Sequence, residues 1–222
     1  MLPRDLLALT LKGLLAWLTL SGLVVFFGEH LVQGLFPLTK AILIMLEPAL
    51  SPSLTLLKSA QSQLDYSIEL SAWVLEPIYL NSDHFVPPKT VLKSSAHLLH
   101  SLVPMVIEGA ILLVWPVQRW SQRMLLLALG VLSAVLVILA TLPTLLLGNL
   151  EISFQEVAET GRNPKPIPWF VDWMVFCEMG GRWLLGVVSA WICIRLQQYL
   201  LPKLTSTQST PAGISRRLVA NK

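Results

Sequence analysis

The chain carries little charge for its length. Only 13% of its 222 residues are Asp, Glu, Lys or Arg, where a soluble domain has about 25%. Hydrophobic residues make up 54%, and mean hydropathy is +0.66. So little polar surface cannot cover a body of this size in water, so lipid is the solvent for much of the polypeptide. Cysteine is also scarce. Cys177 and Cys193 both fall in an apolar segment, which excludes a disulfide framework, and no CxxC or Cys/His ligand spacing occurs. The net charge is only +3 and no basic motif is interleaved with aromatics, so a nucleic-acid partner has nothing to bind. No internal repeat and no matched pair of broken helices points to a transporter.

Apolar runs are what the chain does have. Crossing a hydrocarbon core of about 30 Å takes roughly 20 helical residues, and four stretches qualify: 6–27, about 96–115, 124–147 and 169–196. The first, "LLALTLKGLLAWLTLSGLVVFF", is interrupted only by Lys12. It is too long for the apolar region of a signal peptide and lacks a small-x-small cleavage site, so it is expected to be a retained span. Orientation follows from Lys and Arg in the flanks. With the N-terminus inside, the cytoplasmic pieces carry Arg4, Arg119, Arg123, Arg195, Lys203, Arg216, Arg217 and Lys222 against Asp5 alone. The opposite side holds most of the acids, and the short turn "VQRWSQR" is basic. Both termini are therefore expected in the cytoplasm. Trp115, Trp120, Trp169 and Trp173 fall at the span boundaries and read as interfacial anchors.

The fold expected from this layout is an all-α membrane protein. It is a four-transmembrane-helix bundle with interfacial helices and a small extracytoplasmic β element. Residues 1–28 hold the first span and 29–95 an extracytoplasmic segment. Residues 96–148 form a transmembrane hairpin, 149–168 a second external loop, 169–201 the fourth span and 202–222 a disordered cytoplasmic tail. Within the first external segment, residues 31–58 are apolar but punctuated by Pro37, Pro48 and Pro52. Proline inside a helix costs about 3 kcal/mol, so short interfacial or re-entrant helices are expected there. In "QLDYSIELSAWVL", Leu64, Tyr66, Ile68 and Leu70 alternate with polar residues, the pattern of a half-buried strand. "WVLEPIYL" reads as a second strand weakened by Pro77, and "NSDHFVPPK" as a turn-rich linker. One or two strands are not stable alone, so this piece must pack on helices or a partner.

Ionisable groups in the apolar runs are the candidate functional residues. Glu178 and Arg182 in "FCEMGGRW" are four apart and share a helix face. An uncompensated charge at mid-bilayer costs at least about 2.5–3.5 kcal/mol. Counting from the outer ends of the second and fourth spans puts Glu108 and Arg182 at similar depth. The expectation is a Glu108–Arg182 contact with Glu178 as a second acceptor. Lys12 either joins this group or extends its ammonium to the cytoplasmic headgroups. The glycines before Arg182 would let another helix approach closely. Such charges either fix helix packing or line a polar site. A sharper alternative is a thiol nucleophile, Cys177, with Arg182 and His97 as helpers. His97 and His100, at i and i+3, are half of a metal or haem site at most, and His30 and His84 add no third ligand by their spacing. No cofactor and no metal is expected.

The order of segments resembles the exosortase-associated membrane proteins of bacteria. The likeness runs over about residues 10–150: an N-terminal span, "LFP" opening a proline-punctuated apolar stretch, the strand "LDYSIEL", then "VPPKTVLKSSAHLLHSLVPMVIEGAILLVWP" leading into two spans. The resemblance implies a non-enzymatic accessory subunit of a multi-protein complex in the bacterial inner membrane, serving protein sorting or surface-polymer assembly. Its partners would be the lipid bilayer and other integral membrane proteins. Exosortases themselves use a membrane-embedded Cys, Arg and His. The surroundings of Cys177 do not match theirs, so no catalytic role is carried over. The alternatives are an integral-membrane thiol enzyme using Cys177, or a component of a transport or conjugation machine with Glu108 and Arg182 as a polar gate.

Overall fold

The computed structural model describes residues 3–58, 66–117, 119–159 and 166–207. The chain is mostly helical, with three helices long and apolar enough to cross a membrane and a small antiparallel sheet. Helix α1 (Pro3–Leu46) has 44 residues and is about 66 Å long. Helix α3 (Trp120–Ala158) has 39 residues and reaches about 58 Å. A bilayer with its headgroups is about 40–45 Å thick, so each of these helices is longer than a bilayer is thick. Between them, α2 (Leu98–Val114) is a shorter apolar helix of 17 residues. The last segment is α4 (Trp169–Phe176), a kinked turn (Cys177–Gly181) and α5 (Arg182–Thr207).

Strands β1 (Leu50–Lys58), β2 (Tyr66–Val74) and β5 (Val91–His97) form one sheet in the order β1-β2-β5, all antiparallel. A two-stranded hairpin of β3 (Ile78–Tyr79) and β4 (Phe85–Val86) interrupts it between β2 and β5. The alternation expected for 64–70 holds where it is described: Ile68, Leu70, Ala72 and Val74 are all but inaccessible, and the residues between them face outward. Leu64 and Asp65 lie outside the described residues. The inward face packs on the projecting parts of α1 and α3, against Val32, Leu43, Leu146 and Leu150. Each large apolar side chain buried there contributes about 1.5–3 kcal/mol. Tyr66, at the start of β2, donates its hydroxyl to Glu29 of α1. That bond, partial burial and the carboxylate's charge hold the phenol above its ordinary range.

Several expected boundaries are corrected. Residues 31–58 form no interfacial helices, because α1 continues through Pro37 and residues 50–58 are strand β1. Pro37 and Gln33, whose carbonyl the ring displaces, both face outward, where a lost bond is replaced by solvent. Pro48 lies in the turn after α1, and Pro52 is on an edge strand, where a missing N–H on the open side breaks no ladder bond. The sheet has more strands than the one or two expected: β2 runs on through Trp73, and β5 takes in residues 91–95, which had no element of their own, together with Ala96 and His97, which were expected in the second span. The expected loop 149–168 is helical to Ala158, and α5 extends past residue 201 to Thr207. Residues 160–165 and 208–222 lie outside the described residues.

Asn81 ties the hairpin to the helices. Its Oδ1 accepts the backbone N–H of Asp83 at 2.8 Å and of His84 at 2.6 Å, and its Nδ2 donates to the carbonyl of Ala158 at 3.2 Å. The side chain thereby closes the turn and caps the free carbonyls at the end of α3. Removing it strands buried partners, which costs about 1–3 kcal/mol. Asn81→Ala is expected to raise hydrogen–deuterium exchange at 78–86 and at the end of α3 while leaving the apolar helices unchanged. Exchange unchanged in both regions would show that the clamp is not built this way.

Candidate functional site

The stretch "FCEMGGRW" forms a kink between two helices, and its glycines show why. Gly180 has φ of +107°, in the left-handed region that other residues avoid. A Cβ on Gly181 would lie 2.6 Å from the Phe176 carbonyl oxygen and 2.5 Å from its ring. The pair therefore serves the turn itself and is not the surface by which another helix approaches. That role falls to Gly186, one turn after Arg182, where a Cβ would lie 2.7 Å from the carbonyl oxygen of Pro104.

The turn opens a cleft of about 240 Å³ lined by His100, Val103, Cys177, Glu178, Arg182 and Trp183. Arg182 donates from Nη2 to Oε1 of Glu178 in a close ion pair. The guanidinium side is buried, with 9% of the side chain exposed, while Glu178 is 52% exposed. Cys177 is buried beside them. The histidine in this cleft is His100 and not His97. His97 stands behind it, with ring centroids 5.7 Å apart and the rings edge to face. Cys177 thus has the neighbours a thiol nucleophile needs, but the Arg182 charge that would favour a thiolate is offset by Glu178 in direct contact. Among the described residues no group of three or more His, Cys, Asp or Glu side chains converges. His84 lies in the hairpin turn with Nδ1 3.2 Å from Asn81, and His30 is exposed on α1.

The expected Glu108–Arg182 contact is not formed. Glu108 is buried between helices, where Oε1 accepts from Sγ of Cys193 at 3.5 Å and Ser133 and Ser189 face the carboxyl. Its Oε2 has no hydrogen-bond partner among the described residues. Ser189 and Cys193 lie seven and eleven residues beyond Arg182, so Glu108 sits about 10–16 Å further along α5. The counting failed because the two helices do not start level. α2 leaves the sheet directly after β5, whereas α4 begins beside the projecting part of α3, with Met174 against Gly148. Cys193 is therefore part of a polar contact and more than packing. Lys12 is in neither cluster and lies at the opposite end of the helices, near Arg123.

Residues outside the expected set complete these sites. Arg123 donates from Nη1 to the carbonyls of Leu112 at 3.0 Å and Leu113 at 2.9 Å, satisfying the end of α2. Trp173 does more than anchor a boundary, since its Nε1 donates to the Ala140 carbonyl at 3.1 Å. Ser133 and Ser189 carried a signal in the sequence: each is a hydroxyl placed in an otherwise apolar run. No family model matches the chain, and neither does any curated protein or solved structure.

Proposed function

We propose that this protein is a non-enzymatic, multi-pass accessory subunit of a multi-protein complex in a bacterial inner membrane. Its four apolar helical segments cross the bilayer. The sheet stands on the extracytoplasmic side and meets a partner there. The basic turn with Arg119 and Arg123, at the end away from the sheet, supports that orientation. The resemblance to exosortase-associated proteins makes protein sorting or surface-polymer assembly the favoured setting.

The observation that carries this reading is an apolar tip placed in water. Trp73 is 53% exposed, Tyr79 68% and Phe85 55%. Trp73 is paired in register with exposed Val91, and the rings of Tyr79 and Phe85 have centroids 6.0 Å apart. All belong to the end of the sheet remote from α2. β5 has seven residues, which sets that end about 20 Å from the first turn of α2. The headgroup layer is only about 5–8 Å deep on each side, so lipid does not account for these rings. Nearer the membrane the same outer face is polar apart from Leu57, with Ser53, Thr55, Ser71 and the Glu69–Lys93 pair at 3.1 Å. A clustered apolar surface rimmed by polar residues marks a protein contact.

A photo-crosslinking residue at position 73 or 85 is expected to give one discrete adduct in cells, and the same residue at Ser53 none. A Trp73→Ser/Phe85→Ser double variant should accumulate normally and lose its partner in mild detergent. Equal labelling from all three positions, or a partner kept by the double variant, overturns the reading. The cleft that brings Cys177, Arg182 and His100 together favours a second reading, an integral-membrane thiol enzyme. Cys177→Ala at normal protein level, with function unchanged in the cell, removes it. The polar gate loses its support because Glu108 and Arg182 do not meet.

A further inference from the structure

At the end of the bundle remote from the sheet, α1 stands slightly away from α2 and the start of α3. The gap is a cavity of about 800 Å³ walled by Leu9, Leu15, Leu113 and Val114, with Lys12 and Arg123 at its edge. A second, apolar cavity of about 590 Å³ shares Leu9 and Val114 and continues past Trp17 and Ile107. Together they form a greasy trough with two cations at one end. Only 6% of the apolar window of α1 is buried, so this trough opens to whatever surrounds the helices.

Depth places the cations at a membrane boundary. Gly28 of α1 packs on Leu98 and Leu102 at the start of α2, and Lys12 lies about 24 Å below that level. Its flexible stem lets the ammonium reach the headgroups there. Arg123 is in the first turn of α3. Its Nη1 is held by the carbonyls of Leu112 and Leu113, which leaves donors on the rest of the guanidinium fork. Among the described residues no carboxylate lies within ion-pair distance of either cation.

We propose that this trough binds one anionic phospholipid, with its phosphodiester held by Lys12 and Arg123 and an acyl chain along α1. Two cations with no carboxylate paired to them among the described residues discriminate by net charge. A phosphatidylglycerol head is attracted, whereas a zwitterionic head brings an ammonium that finds no carboxylate to meet it. Basic pockets between helices at a bilayer face bind anionic headgroups in this way. The proposal rests on the bilayer placement of the helices and not on the sheet's partner.

The full chain, purified from vesicles of equal phosphatidylglycerol and phosphatidylcholine, is to be examined by native mass spectrometry. One phosphatidylglycerol is expected to stay bound in preference to phosphatidylcholine. Lys12→Gln should reduce its retention about fivefold, the loss of one cation's attraction, and Lys12→Arg should restore it. Inorganic phosphate at millimolar concentration should not displace it. Equal retention of the two lipids, or retention unchanged in Lys12→Gln, overturns the site. Displacement by phosphate alone shows a small-anion site and overturns the lipid. Should Lys12→Gln fold poorly, the lipid preference of the unaltered chain and of Lys12→Arg still decides. A chain absent from the membrane fraction would refute the bilayer placement, a result separate from lipid choice.

Discussion

Glu178→Ala is expected to destabilise the protein far more than Arg182→Leu, although each removes the same ion pair. The difference lies in what is left behind. Without Glu178, a guanidinium with 9% of its side chain exposed has lost its one ion-pair partner among the described residues. Without Arg182, the remaining carboxylate is 52% exposed and lies on an open cleft. The chemistry of the two groups widens the gap. A carboxylate deprived of its cation can take up a proton, while a guanidinium cannot shed one. Leaving a buried charge unpaired costs about 3–5 kcal/mol, and the partial exposure of this pair puts Glu178→Ala near 3 kcal/mol, at the low end of that range. Arg182→Leu falls within the roughly 0–1 kcal/mol of an exposed pair, since leucine suits apolar surroundings. The double variant should resemble Arg182→Leu alone. Thermal unfolding in one detergent measures all three. Equal losses in the single variants, or a greater loss for Arg182→Leu, would mean that burial does not govern this pair.

The apolar cores of the helices were legible because runs of about 20 residues with so few charges suit a hydrocarbon setting. Their ends were not, because α1 and α3 leave the apolar zone and continue as amphipathic helices. The signal is present at Val32, Leu35, Phe36, Thr39 and Leu43, spaced three and four apart on the face that meets the sheet. Reading apolar runs by length alone passes over such spacing, and the prolines strengthened the wrong conclusion. Pro37 sits on the exposed face of α1 and Pro52 on an edge strand, positions at which proline does least harm. β5 was hidden for a different reason. Its inward residues are Leu92, Ser94 and Ala96, too small and polar to show the alternation of β2.

The candidate site was legible in its residues and not in its pairing. Glu178 and Arg182 are four apart and stay together across the kink at Gly180, so spacing sufficed. Contacts between α2 and α5 depend on where each helix starts, and that is set by tertiary features: β5 running straight into α2, and α4 packing beside α3. A two-turn error in relative level exchanged Glu108's neighbours from Arg182 to Ser189 and Cys193. The observed register also puts His100, with His97 behind it, in the cleft where His97 was expected.

That register can be tested at Gly186, where the second large effect is expected. A Cβ there would lie 2.7 Å from the Pro104 carbonyl oxygen and 3.0 Å from Cβ of Ile107. The first obstacle is helix backbone, which cannot swing aside as a side chain does. Even Gly186→Ala must therefore separate α2 from α5, stretching the Cys193–Glu108 contact and widening the cleft at Arg182. Gly186→Leu adds a branched side chain to the same contact and is expected to lose about 3 kcal/mol or more, at or beyond the top of the usual overpacking range. Gly34 supplies the control within the same protein. It is also helical, but nothing lies within 4 Å of its added Cβ. Gly34→Ala should therefore gain up to about 1 kcal/mol from helix propensity alone. Opposite shifts in unfolding temperature for Gly186→Ala and Gly34→Ala are the predicted result. If Gly186→Ala melts with the unaltered protein, α2 and α5 are not in contact here, and neither the cleft nor the buried carboxyl cluster has the geometry described.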